Sequence, residues 1–213
     1  MQTTPCKPSF ACLRSPHGRS LRTPPYSVRT LDPRSLRALA HPLRIRILGA
    51  LREYGPSTAS RLAERLHESS GATSYHLRQL AAHHFIEEEP GRGTARERWW
   101  RAAQQGTEPG DVEEFFRHPD AEVRGALMLL MHEVATTHVR ELHTWLSTVH
   151  DRPGEWWQAS ALSDFTLRLS PELARELNER LHALVESYRE RAAEGEQTAR
   201  FRVHLHAFPR ADD

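Results

Sequence analysis

SSGATSYHLRQL, Ser69 to Leu80, is too polar for a core helix and too regular for a loop. At about 100° per residue, Thr73, Leu77, Leu80 and His84 fall on one stripe, while Gly71, Ala72, Tyr75, Arg78, Gln79 and Ala82 point away from it. A serine N-cap, Ser69 or Ser70, leaves the first backbone N–H groups and the positive end of the helix dipole free to meet an anion such as phosphate. A short helix with a small, hydrogen-bonding outer face is suited to reading DNA.

The flanking sequence is punctuated in the same way. Asp32-Pro33 opens a short helix through Leu36, Leu39 and Ala40, and Pro42 opens a second with Leu43, Ile45, Ile47, Leu48 and Leu51 inward, ended by Gly55-Pro56. Ser57 or Thr58 caps a third helix, in which Ala59, Leu62, Ala63 and Leu66 form the buried stripe. After the opening helix, Phe85-Ile86 begin a strand, Pro90 to Thr94 turns, and Glu97 to Arg101 returns with Trp99 and Trp100. Two short helices joined by a tight turn and followed by a hairpin predict a winged helix-turn-helix. In that arrangement Leu62, Leu66, Leu77 and Leu80 pack the two helices together. Ser70, Ala72, Tyr75, His76, Arg78 and Gln79 are left for the major groove or its phosphates, with His76 at the edge of the buried stripe and open to either role. Gln79 can read adenine, and Arg78 can read guanine or hold a phosphate. In the hairpin GRGTARER, Arg92, Arg96 and Arg98 can reach the minor groove or flanking phosphates.

HPLRIRILGAL at 41–51, ASRLAERL at 59–66 and ATSYHLRQL at 72–80 resemble the ArsR-type winged-helix repressors of the actinobacterial kind, over residues 33 to 102. The resemblance implies a homodimer that binds a short inverted repeat in double-stranded promoter DNA and answers some signal. Metal-responsive relatives carry a Cys-x-Cys type pair before the recognition helix. STASRLAERLH, residues 57–67, has no cysteine, so a thiolate metal site is not expected there. Elsewhere, His132 and His138 are six apart and fall on different helix faces. His204 and His206 share a strand face, but two ligands are too few. No metal or cofactor is expected.

Charge is distributed unevenly behind a net of +1: residues 1–31 sum to +5, 32–103 to +4 and 104–213 to −8. A basic front and an acidic back fit a chain whose first part faces a polyanion. Lys7 stands alone among 29 cationic side chains, the rest being arginine, which points first to a GC-rich genome. Residues 1–31, with Pro5, Pro8, Pro16, Pro24 and Pro25 and no apolar period, read as a disordered basic arm. The two cysteines, Cys6 and Cys12, lie in that arm, so no disulfide framework holds the folded part. The longest apolar run, Ala126 to Met131, is far too short to span a bilayer, and the expected location is the cytoplasm.

The fold expected is mainly α with small β: a winged helix-turn-helix over 32–103, then a C-terminal α+β region over 104–213. That region opens with a long helix from Asp120 to Val149, whose stripe of Val123, Leu127, Leu130, Met131, Val134, His138, Leu142, Trp145, Leu146 and Val149 suits pairing with its twin in a dimer. Alternation at Asp164–Leu169 and Ala199–Phe208 around a helix from Pro171 to about Ala192 predicts a strand-helix-strand unit over 163–208. Trp145, Trp156, Trp157 and Phe165 are candidates to line an apolar effector pocket. With no nucleophile motif, phosphate loop or hydrolytic metal box, an enzyme is not expected. The reading is a DNA-binding transcriptional regulator, with a protein-interaction winged helix that has lost DNA binding as the competing class.

Overall fold

The computed structural model describes residues 27–94, 97–189, 191 and 198–210. It is mainly helical with small sheets, and it divides between Glu133 and Val134 into two compact units.

The first unit begins with a strand, β1 (Val28–Leu31), inside the segment expected to be a disordered arm. Leu31 is buried, and β1 pairs in parallel with β5 (Gly106–Pro109), Val28 opposite Gly106 and Leu31 opposite Pro109. Four residues are too few to show a period, and the partner strand lies far along the chain, so the sequence alone gave no sign of the pairing. Asp32 then caps α1 (Pro33–Leu39). Its carboxylate accepts from the Ser35 N–H at 2.7 Å and from the Ser35 hydroxyl at 2.7 Å, which holds the Asp32 carboxyl below its usual range, and the Ser35 hydroxyl oxygen accepts from the Asp32 N–H at 2.9 Å. Next come α2 (Pro42–Tyr54), closed by Gly55 at φ +79°, and the two-residue strand β2 (Ser57–Thr58). The helices α3 (Ala59–Leu66) and α4 (Ser70–Ala82) follow.

A hairpin completes the winged helix. β3 (Ile86–Thr94) and β4 (Glu97–Ala102) are antiparallel, with a register shift between Glu88 and Gly93, and β2 pairs on the other edge of β4. The sheet order is therefore β2-β4-β3, one strand more than the sequence suggested. Beyond β5 and the short α5 (Val112–Phe116), the first part of α6 (Ala121–Thr148) supplies Val123, Ala126, Leu127 and Leu130 to one continuous core. That core also takes Leu31, Leu36, Leu39, Ile47, Leu48, Leu51, Leu62, Leu77, Leu80, Phe85 and Trp100. The helix-turn-helix thus sits within a larger unit than 32–103.

The second unit comprises the rest of α6, a 3-10 turn at Val149–Asp151, α7 (Gly154–Ala159) and α8 (Pro171–Arg189). Residues 164–169 and 199–208 were expected as strands, but here they belong to neither helix nor ladder. Alternation shows that one face needs cover; it does not supply the partner edge. Among the described residues from Val134 onward, none is fully buried. No helix among the described residues is long and apolar enough to cross a membrane.

Candidate nucleic-acid interface

Local hydrogen bonds set α4 in place. The Thr58 hydroxyl caps α3, and the chain turns through His67 at φ 56°, with the Glu68 N–H returning to the Ala63 carbonyl at 2.9 Å. This is a left-handed helix stop of the Schellman kind, at a residue type that offers little sequence warning of it. Ser69 is the N-cap of α4, its hydroxyl accepting from the Ala72 N–H at 3.1 Å, while the Thr73 hydroxyl donates to the Ser69 carbonyl at 3.0 Å. Arg46 of α2 braces the turn, paired with Glu68 at 2.9 Å and donating to the Leu66 carbonyl. At the far end, Arg29 of β1 donates to the His83 carbonyl at 2.6 Å, and its guanidinium lies 4.2 Å from the Phe85 ring centre.

Thr73, Leu77 and Leu80 of the expected stripe are buried, but His84 lies beyond the helix at φ 57° and is exposed. On the outer face Ser70, Tyr75 and Arg78 are exposed, Tyr75 by 51 %. Gln79 is half-buried, and Ala72 is partly buried against the core. His76 turns toward α2: its ring centre is 4.2 Å from that of His41, and its Nδ1 is buried with no hydrogen-bond partner among the described residues. His41 caps α2 by accepting the Leu43 N–H on Nδ1 at 3.1 Å, which requires that nitrogen to be unprotonated. Burial and neighbouring cations hold both imidazoles below their usual pKa, which favours that neutral state.

Trp99 of β4 is the centre of the hairpin's cationic surface. The guanidinium of Arg61, on α3, lies 4.8 Å from its ring centre, and that of Arg92 lies 5.5 Å away. Arg98 pairs with Glu88 at 3.2 Å, and Arg101 pairs with Glu87 at 2.8 Å and with Glu89 at 3.1 Å. These pairs are exposed or partly exposed, so each is worth about 0–1 kcal/mol. Arg96 lies outside the described residues. Arg61 and Arg65, the latter 3.8 Å over Tyr54, are cationic side chains of α3 that the sequence reading passed over. Their signal was there: both fall on the polar side of the ASRLAERL stripe.

The four aromatic candidates of the second unit do not enclose a pocket. Trp145 and Trp156 are half-buried, Trp157 is exposed with its indole N–H on the Val149 carbonyl, and Phe165 is 85 % exposed. What the second unit does gather is histidine. His138 of α6 stacks on His204 at 3.8 Å between ring centres, and its Nδ1 is 3.1 Å from His206 Nε2. Glu141, one turn along, meets His204 at 3.1 Å and Arg202 at 3.1 Å. Two rings stacked face to face cannot both aim their nitrogens in-plane at one ion. Among the described residues, no group of three or more His, Cys, Asp or Glu is placed to hold a metal.

Burial, then His204, His206 and Arg202, push the His138 pKa down to about 4. A histidine lowered from 6.5 on folding binds fewer protons in the folded state across that window, so the packing is fully present above about pH 6.5 and is lost as pH falls toward 4. Nuclear Overhauser contacts between the His138 segment of α6 and residues 204–206 should therefore be lost as pH falls between those values. His138→Gln should flatten the dependence; a profile identical to the parent's would show that His138 does not set it.

Residues 39–89 match the family model described as a helix-turn-helix domain, which spans α2, α3 and α4. Among solved structures, the chain is similar to a double mutant of ZitR from Lactococcus lactis in its apo form, at 19% identity and a TM-score of 0.27, covering 73% of this chain and 83% of that one. It is also similar to RV1404 from Mycobacterium tuberculosis, at 15% identity and a TM-score of 0.28, covering 73% of this chain and 84% of that one. No curated protein matches the chain.

Proposed function

We propose that the chain is a sequence-specific, homodimeric transcription regulator, a repressor that occupies an inverted repeat in promoter DNA. The observation that carries this reading is the outer face of α4, where Ser70, Tyr75 and Arg78 stand exposed on a helix fixed at both ends and along its buried side. A helix whose pose is set by Ser69, Arg29, Leu77 and Leu80 presents those groups without further ordering, which is what base readout requires. Arg61 and Arg92, held beside Trp99, supply phosphate contacts on the flank. The match of 39–89 to a helix-turn-helix domain supports the same assignment. The chemistry is recognition rather than catalysis, and a signal acts by binding DNA-competent and incompetent arrangements with different affinity.

Selection of sites from random duplex DNA by the purified chain tests the proposal. The expected product is a palindrome whose half-sites lie about 10–10.5 bp apart or a multiple of that. No enrichment at moderate salt would overturn it in favour of a winged helix that binds protein. Arg92→Ala is expected to weaken binding to every sequence alike and to lower the salt slope by about 1, read from a titration of affinity against salt. A slope equal to the parent's would remove Arg92 from the phosphate contacts.

A further inference from the structure

Residues 161–169, ALSDFTLRL, join α7 to α8 with no helix or ladder of their own. Among the described residues, their backbone N–H and C=O groups have no hydrogen-bond partner. Their alternate side chains are apolar and open: Phe165 is 85 % exposed, Leu167 59 % and Leu169 42 %. Nine residues with open backbone groups and an alternating apolar face can be taken up by the edge of another strand.

The sequence around Thr166 selects the partner. When two copies run antiparallel with Thr166 on the two-fold axis, Asp164 stands opposite Arg168, Phe165 opposite Leu167, and Thr166 opposite its own twin. Asp164, Thr166 and Arg168 then share one face, and Phe165, Leu167 and Leu169 the other. Two opposite-charge pairs form at once, one on each side of the axis. Shifting the register by one residue sets Asp164 against Leu167 or Leu169, and shifting it by two sets Asp164 against Thr166 or Ser170. Only the Thr166-centred register joins the charges. A foreign strand has no reason to match this self-complementarity, whereas an isologous contact between identical chains demands it.

We infer that residues 162–170 form a β-strand only against a second copy of this chain, antiparallel about Thr166, and that this ladder is part of the dimer interface. The inference rests on the homodimeric reading above and locates one of its contacts. It is tested on the full chain by sedimentation equilibrium of D164R, R168D and the double variant D164R/R168D. Each single variant sets like charges opposite each other twice and should weaken the dimer by about tenfold. The double variant should regain parental affinity. An equimolar mixture of D164R and R168D should also pair more tightly than either alone, because their opposed charges then match. Thr166→Cys, with Cys6 and Cys12 replaced by serine, should oxidise to a disulfide-linked dimer.

If the parent and every variant are equally dimeric and Thr166→Cys gives no cross-linked species, the Thr166 ladder is overturned while the dimeric reading stands. A parent that stays monomeric at all concentrations overturns both. A site selection that enriches no palindrome, in a chain that passes the charge-swap test, overturns the operator reading and leaves the ladder intact.

Discussion

Phe85→Ala is expected to cost about 3–5 kcal/mol of stability, the range for deleting a fully buried aromatic ring. Phe85 is 0% exposed and lies where three parts of the first unit meet. Its N–H donates to the Leu80 carbonyl at the end of α4, its carbonyl accepts from Ala103 N–H after β4, and its ring lies under the Arg29 guanidinium of β1. A loss of that size consumes much of the 5–15 kcal/mol by which whole domains are stable. Urea denaturation followed by helical circular dichroism should show the midpoint fall sharply, and DNA affinity should drop with the folded fraction. Arg29→Ala leaves the ring in place and should cost much less. A Phe85→Ala midpoint matching the parent's would contradict the packing described here.

Arg78→Ala is expected to lower affinity for the selected site by about 1–3 kcal/mol and to relax preference at one base pair in each half-site, the cost of losing one bidentate base contact. Its exposure near the end of α4 leaves the guanidinium free to reach into a groove, whereas the half-buried Gln79 reaches less far. Gln79→Ala is the natural comparison, since it should alter preference with a smaller loss of affinity. The distinguishing measurement is a panel of single-base substitutions in the site. If Arg78→Ala weakens all of them equally, Arg78 holds a phosphate; if it leaves them all unchanged, Arg78 does not touch the site.

The helices of the first unit were legible because their signals are local. Asp32 with Ser35, Pro42, Gly55, Thr58 and Ser69 each mark an end within four residues of where they act, and the stripe of Thr73, Leu77 and Leu80 falls on the buried side. What was not legible is non-local. β1 and β5 pair across more than seventy residues, Arg61 reaches Trp99 only through the sheet, and His138 meets His204 and His206 from the far end of the second unit. His76 shows the limit at a single position. Helical periodicity placed it at the margin of the buried stripe, and the ring of His41, thirty-five residues earlier, turned it inward. The alternation at 164–169 was read as a strand, but an apolar period says which face needs cover and not which edge will pair with it, and no ladder forms there among the described residues.

The parallel pairing of β1 with β5 has a consequence for modularity. Val28 stands beside Gly106 and Leu31 beside Pro109, so the chain comes into the winged helix and departs from it along one seam. The seam does not close the module, because Phe115, Val123, Ala126, Leu127 and Leu130 from beyond it complete the same core, so a portable version has to carry the chain on through the first part of α6. The same stitch places Arg29 at the tail of α4, so α4 is latched by the strand that leads into the module, and any graft that trims the seam would unlatch it.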